Sequence, residues 1–447
     1  MTKFLRSLLV LLFLLQILVA AGFELAHDEA YYWLFSRHLD WGYMDHPPFM
    51  AAIIRLFSFL PHSEIAVRLG FIVLQFCSLG LIYKMTDFQY RKWVTLLFFS
   101  FPLASLTGLL ALPDIPLLFM SSLYCLMLKR FLEKKDFSTS ILLGLTVALL
   151  LYAKYHGALL VLFTIMALPG LLKEKHFYLV TVVALLFFLP HMYWQHVHDY
   201  TTLRYHFLER PSSGFSLKRS FEYLGTQIGL AGVFAGPLVW WIVGKHAPKD
   251  QFERALKFIC LGTVVFFLLS TFSKKFEANW TIFLAVPLIV LVAGSPLWGK
   301  KLPQYVLYVS FVLVLVSRVA FLFSPEILNV KRLKEFYGWR DWAQEVKRKC
   351  PGTLVANTYQ IASKLSFYLE TEVHALNYHS RRNQFDIWRW DRKNPIKVVC
   401  FITQGKEFQG EPLQTPEGKE LTMVTNLPYE ELLRRKTESM RESGHAQ

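Results

Sequence analysis

Charge is scarce in this sequence. Asp, Glu, Lys and Arg make up only 18% of its 447 residues, against 54% hydrophobic ones, where a soluble domain carries about 25% charge. That excludes a chain that is water-soluble throughout. Signature loops are missing too. There is no P-loop, which argues against an internal nucleotide motor, and no Gly-x-Gly dinucleotide loop. Internal repeats and low-complexity linkers are absent. The five cysteines include no metal-ligand pair. Cys77, Cys125 and Cys260 fall in apolar runs and read as small packed residues. Cys350 and Cys400 fall in the tail and can pair if that tail meets an oxidising compartment.

The net charge of +15 and pI near 9.4 would fit a nucleic-acid binder. The chain has no zinc-finger spacing and no basic helix within a recognisable binding fold, so no nucleic-acid partner is expected. The basic residues sit instead in short loops between apolar runs.

What is present is a series of those runs, with a mean hydropathy of +0.34 overall. A membrane helix needs about 20 mostly apolar residues. Eleven candidates meet that loosely: 4–23, 64–83, 93–111, 113–129, 138–153, 156–171, 177–194, 222–244, 256–271, 279–297 and 303–323. The first has the layout of a secretory signal peptide. We read it as an uncleaved span, because many spans follow it and the residues after it carry chemistry. Positive charge marks alternate loops: Lys84, Arg91 and Lys92; Lys129 to Lys135; Lys173 and Lys175; Lys245, Lys249 and Arg254; Lys300 and Lys301. Positive-inside bias makes that side cytoplasmic. The N-terminus is then cytoplasmic and the tail periplasmic, in a bacterial inner membrane.

The expected architecture is a polytopic α-helical membrane domain over 1–324 and a small soluble α/β domain over 325–447. In the second, Thr353–Val355 and Lys397–Ile402 read as strands, and Ile361–Leu369 and Tyr429–Thr437 as helices.

Segments 24–63, 112–114, 154–156, 195–221 and 272–279 all fall on the outer side, and they hold the unusual chemistry. Asp28 and Glu29 follow the first span directly. Neighbouring helical residues do not face the same way, so one of the two is expected to point into a site. Interfacial aromatics explain Tyr31, Tyr32 and Trp33, but a carboxylate pair at a membrane edge is costly unless solvated or used. Asp45 and His46 precede Pro47-Pro48, which either fix their direction or start a helix that Asp45 caps. Asp114 is an N-cap or an acid at the outer mouth. Lys154, beside Tyr155, either snorkels to the headgroups or holds a phosphate. Lys274 and Lys275, ahead of Glu277, Asn279 and Trp280, face anionic lipid or a lipid-borne phosphate. His196, His198, His206, Arg204 and Arg210 line the longest outer loop; their spacing is weak evidence for a metal.

Carboxylates with cationic phosphate holders fit transfer of a group from a lipid-linked phosphate. Lys or Arg stabilises the departing phosphate, and a carboxylate takes the proton of an attacking hydroxyl. The stretch HDEAYYWLFSRHLDWGYMDHPPFMAAIIRL resembles the first outer loop of polyprenyl-phosphate-sugar-dependent transferases. That family includes the dolichyl-phosphate-mannose protein mannosyltransferases and the aminoarabinose transferases that modify lipid A. ALPDIPLLF, LLYAKYHGALL and SKKFEANW resemble later family segments more loosely.

The resemblance implies a GT-C-like bundle and an inverting glycosyltransferase. Its donor would be a polyprenyl-phosphate sugar, and its acceptor lipid A, lipopolysaccharide or another envelope lipid. Asp28, with Glu29 and Asp114, would be the catalytic acids. Asp45, His46, Lys154, Tyr155, Lys274, Lys275, Glu277, Asn279 and Trp280 would bind substrate. The resemblance implies no essential cofactor, leaves a divalent cation open, and fits a monomer. The alternatives are a transporter or flippase of a lipid-linked sugar, which predicts charge on both faces and paired repeats, and a protein O-mannosyltransferase.

Overall fold

The computed structural model describes residues 3–204, 214–322, 331–378, 382–388, 397–404 and 408–442. Two compact units divide the chain. One holds Met1–Ala20 and His46–Ala320; the other holds Ala21–Asp45 and Phe321–Gln447. Residues 21–45 thus group with the C-terminal part, whereas the expectation from sequence places them within 1–324. Hydrogen bonds tie them there. The Tyr368 hydroxyl accepts from the Leu25 N–H at 2.9 Å. The Glu24 carboxylate accepts the Trp339 and Arg340 N–H groups at 2.6 and 3.0 Å. It thereby caps the helix Trp339–Lys349, satisfying two donors that a helix start leaves orphaned. Gly338 begins that helix at φ 80°, a conformation that glycine adopts without strain.

The first unit is a helical membrane assembly. Among the described residues five helices are long and apolar enough to cross a bilayer: Lys3–Ala21, Glu64–Met85, Asp114–Glu133, Lys175–Val197 and Lys301–Val319. A sixth is counted if Phe88–Ser100 and Pro102–Leu109, bent by 85°, form one span. That is fewer than the eleven read from hydropathy, and the shortfall has physical causes. The run 93–111 breaks at Pro102. The run 222–244 breaks into helices Leu217–Leu230 and Gly236–Lys245. A Cβ on Gly236 would lie 1.8 Å from the Ile228 carbonyl oxygen, so only glycine lets the halves meet this closely. Ser310 Oγ accepts the N–H groups of Phe234 and Ala235 freed at the break, at 3.0 and 2.9 Å. The runs near 138, 156 and 279 form the shorter apolar helices Phe137–Ala153, Tyr155–Ala167 and Ala278–Val292. Large apolar side chains lie exposed on the long helices, as at Leu185, Leu186, Phe187 and Leu189. A lipid environment explains such a surface; water does not.

The bend at Pro102 is held by buried polar side chains, as backbone groups freed inside a membrane require. Arg318 donates to the Ser105 carbonyl at 2.7 Å, to Ser105 Oγ and to Gln16 Oε1. Gln16 donates to the Gly108 carbonyl at 2.6 Å, and Gln75 to those of Ala104 and Ser105.

The second unit contains a five-stranded mixed sheet in the order β2-β1-β3-β5-β4. The strands are β1 Leu354–Ala356, β2 His374–Ala375, β3 Val398–Thr403, β4 Glu411–Gln414 and β5 Glu420–Pro428. β1 runs parallel to β2 and β3, while β5 is antiparallel to β3 and β4. Val355, Val399, Phe401, Phe408, Leu427 and Leu432 form one core. Helices Tyr359–Leu369 and Tyr429–Glu442 match the sequence expectation. Cys350 and Cys400 are joined as a disulfide, with Cα atoms 6.3 Å apart. Of the other cysteines, Cys125 and Cys260 are buried, but Cys77 is exposed. The chain is therefore a largely α-helical, multi-pass membrane protein with a strand-containing C-terminal domain.

Candidate active site

Asp28 lies in the first turn of helix His27–Arg37 and is half-buried. Tyr359 donates to its Oδ1 at 3.2 Å. Its pKa is raised from 3.8 to about 6, first by burial, then by the negative charges of Glu335 and Asp45; the Tyr359 hydrogen bond and His27 oppose the rise. Glu335 is fixed because its Oε1 accepts the His27 N–H at 2.8 Å. His27 Nε2 meets Glu417 at 2.7 Å. That hydrogen bond is the main reason the Glu417 carboxyl is lowered to about 2. The Asp45 carboxylate accepts from the Tyr31 hydroxyl at 3.1 Å, and that hydroxyl accepts the Gln384 N–H at 2.7 Å. Burial beside Asp45 keeps Tyr31 protonated, its pKa well above the usual tyrosine value.

Glu29 turns the other way. It is fully buried, and its Oε2 accepts the Ala26 N–H at 2.8 Å, reaching back over the helix start as the acid of a capping box does, while Ala26 offers no side-chain acceptor in return. Of the two adjacent acids, Glu29 bonds the helix start, and Asp28 is the one whose pKa is raised by burial and neighbouring negative charge. Asp45 is not the cap of the following helix, Phe49–Leu56, whose start has no side-chain cap. That helix does begin directly after Pro47-Pro48, with His46 just ahead of them.

In the membrane unit three of the expected residues meet. Asp114 opens the helix Asp114–Glu133 without capping it, since no side chain caps that start. Its Oδ1 accepts from Lys154 Nζ at 2.9 Å and its Oδ2 from Asn279 Nδ2 at 3.1 Å. Asp114 is 1% and Lys154 5% exposed, so Lys154 does not snorkel. Burying such a pair costs several kcal/mol per ion before the attraction repays it. A helix N-terminus beneath the acid lowers that cost.

The neighbours fall in place around these three. Tyr155 shares a hydrogen bond with His191 Nε2 at 2.6 Å. Trp280 packs on His156, with ring centres 5.4 Å apart. Lys275 and Glu277 are exposed and Lys274 half-buried; among the described residues the two lysine side chains make no ion pair. At the end of helix Lys175–Val197, His196 meets the Tyr200 hydroxyl and His198 the Trp194 carbonyl. Among the described residues no three His, Cys, Asp or Glu side chains gather to hold a metal. His206 and Arg210 lie outside the described residues.

The sequence reading missed Tyr359, Glu335, Tyr31 and Gln384 as partners of the acids, and His191 and Gln195 as partners of Tyr155. The last pair had a signal: two polar residues at the end of an apolar run.

Residues 45–194, less than half of the chain, match the family model described as dolichyl-phosphate-mannose-protein mannosyltransferase. The chain is 26% identical over 295 residues to the lipid A galacturonosyltransferase RgtD of Rhizobium johnstonii, a match that spans 62% of each chain. Among solved structures it is similar to ArnT from Cupriavidus metallidurans. For the apo form the TM-score is 0.69 at 13% identity, covering 94% of this chain and 98% of that one. For the form bound to undecaprenyl phosphate it is 0.68 at 15%, covering 95% and 98%. The chain therefore has the fold of those ArnT structures, and over part of its length it is similar to the mannosyltransferase family model and to the galacturonosyltransferase.

Proposed function

We propose that this protein is an inverting glycosyltransferase. It moves a sugar from a polyprenyl-phosphate donor to lipid A, lipopolysaccharide or another envelope lipid, at the periplasmic face of the bacterial inner membrane. The carrying observation is Asp28, a half-buried carboxyl among other carboxylates with a pKa of about 6. A base is most effective when its pKa lies near the working pH. As the acceptor hydroxyl attacks the anomeric carbon, its proton passes to Asp28. The carbon–oxygen bond to phosphate breaks on the opposite face, and its electron pair stays on the phosphate oxygen. A positive charge is worth most where charge develops on that oxygen, and Lys154, Lys274 and Lys275 are the membrane unit's candidates for supplying it. Asp114 holds Lys154 and is itself held by Asn279. Asp45, His46, Tyr155, Glu277 and Trp280 shape the surroundings.

The names of the relatives support this reading: one acts on lipid A, and one binds undecaprenyl phosphate. The Cys350–Cys400 disulfide supports a periplasmic tail, because such bonds persist in oxidising compartments. In this reading the short and broken helices complete eleven crossings, residues 1–324 form the catalytic membrane domain and 325–447 the periplasmic one, and the protein acts as a monomer.

The test supplies the full chain in lipid nanodiscs with radiolabelled polyprenyl-phosphate sugars and an envelope-lipid extract. Transfer by the parent and its loss in Asp28→Asn, with donor binding kept, is the expected result. No transfer from any donor, together with movement of labelled donor across proteoliposomes, would establish transport instead.

A further inference from the structure

The Lys154 segment is clamped from three sides, and one clamp belongs to no role assigned above. Helix Phe137–Ala153 ends because Lys154 is extended, at φ −169° and ψ 139°. Lys154 reaches Asp114, whereas Tyr155 opens a short 3-10 turn and has other partners. Its hydroxyl meets His191 Nε2 at 2.6 Å and accepts from Gln195 Nε2 at 3.0 Å. Gln195 Nε2 also donates to Thr202 Oγ1 at 2.8 Å. His191 and Gln195 stand four residues apart on one face of helix Lys175–Val197. They are 1% and 0% exposed, and Thr202 is fully buried. The next residue, His156, lies against Phe267 and Trp280, with ring centres 5.9 and 5.4 Å away. Trp280 in turn follows Asn279, which holds Asp114.

We infer that His191 and Gln195 are positioning residues for Lys154. A lysine side chain has four rotatable carbons and a point charge, so its own geometry sets little. Fixing the backbone on which it stands is what places the ammonium. The Tyr155 hydroxyl is occupied by helix Lys175–Val197, so in this account Tyr155 acts through Lys154 instead of touching substrate. The cost of this arrangement is a buried amide: Gln195 Oε1 has no hydrogen-bond partner among the described residues. A merely stabilising contact gains little from such a group, whereas a fixed strap requires the Nε2 end of that side chain where it is.

This inference rests on the glycosyltransferase reading, but its test has a readout that does not. Four full-length proteins in nanodiscs are compared: the parent, Tyr155→Phe, His191→Leu and His191→Gln. Glutamine carries a polar atom near the imidazole Nε2 position and serves as the conservative rescue. Lys154 is reacted with a dilute amine-acylating reagent, and its labelling is read by peptide mass spectrometry. Labelling should rise in Tyr155→Phe and His191→Leu and return toward the parent in His191→Gln. With a donor that the parent uses, kcat should fall about tenfold in the first two, with the donor KM little changed, as expected for a displaced group. Equal labelling of Lys154 in all four proteins overturns the inference. So does a fall in kcat that only follows the folded fraction, with glutamine no better than leucine. If the parent transfers no sugar, the glycosyltransferase reading fails while the labelling still decides the positioning.

Discussion

Tyr359 donates a hydrogen bond to Asp28 Oδ1 at 3.2 Å from 331 residues further along the chain. This bond stabilises the charged carboxylate, while burial, Glu335 and Asp45 favour the neutral acid. The candidate base is thus tuned by side chains of its own unit, two of which come from the C-terminal part.

That balance predicts how the pH profile responds to substitution. In the role proposed for it Asp28 must be ionised to accept a proton, so kcat/KM should rise with pH through about 6. Glu335→Gln removes a neighbouring negative charge and should move the rise to lower pH. Tyr359→Phe removes the bond to the ionised form and should move it to higher pH. Opposite displacements, measured with saturating acceptor, would fit; a rise that stays put in both variants would rule out Asp28 as its source.

The same tuning sets a stability cost. Asp28 has a folded pKa above its unfolded value, so its contribution is fully present below about pH 4 and lost as pH rises through about 6. At pH 7 the folded protein holds a carboxylate that it would favour as an acid, at a cost on the order of 2–3 kcal/mol. Asp28→Asn should therefore melt higher than the parent at pH 7 while losing transfer, and the gap should close near pH 4. Equal melting curves at pH 7 would show that Asp28 is not strained by its surroundings.

How far these features could be read from sequence depends on their range. Asp28, Asp114, Lys154 and Asn279 were legible because each interrupts or borders an apolar run, where a polar side chain needs a reason. The separation of Asp28 from Glu29 followed from helix geometry, though not which of them would cap. The breaks at Pro102 and Gly236 were not legible as breaks: hydropathy averages over a window and does not see a carbonyl that needs a donor. Tyr359, Glu335 and Gln384 were invisible for another reason. They sit in an ordinary amphipathic domain, and only folding brings them to the acids. Strands β2 and β4, two and four residues long, were too short for any alternation to show.

The Asp114–Lys154 pair should behave as a unit. Removing one partner leaves the other charged and buried, which costs about 3–5 kcal/mol. Asp114→Leu and Lys154→Met should each lower the melting temperature, and the double variant should recover much of the loss. Transfer should stay absent in all three, because apolar side chains supply no charge to the departing phosphate. Recovery of activity in the double variant would make the pair structural only. Additive losses in melting temperature would mean that the two groups are not coupled.

Arg318 carries the last prediction, about the fold that presents these residues. Its guanidinium donates to Ser105, through carbonyl and hydroxyl, and to Gln16, and it lies over the Phe99 ring at 5.1 Å. Without it, the Ser105 carbonyl keeps a bond from Gln75 at 3.2 Å, but Ser105 Oγ and Gln16 Oε1 lose their charged donor. A buried polar group left unpaired costs about 1–3 kcal/mol, and here two are exposed to that loss at the bend that ends just before Asp114. Arg318→Met, which keeps the apolar stem, should lower the melting temperature by more than Arg318→Lys. Lysine keeps a donor but cannot span three acceptors with a planar fork. Because the bend and Asp114 are joined through residues 110–113, Arg318→Lys should also reduce kcat while donor binding persists. An Arg318→Met protein that melts like the parent would show that the bend holds without its arginine, and the intramembrane charge would then need a different explanation.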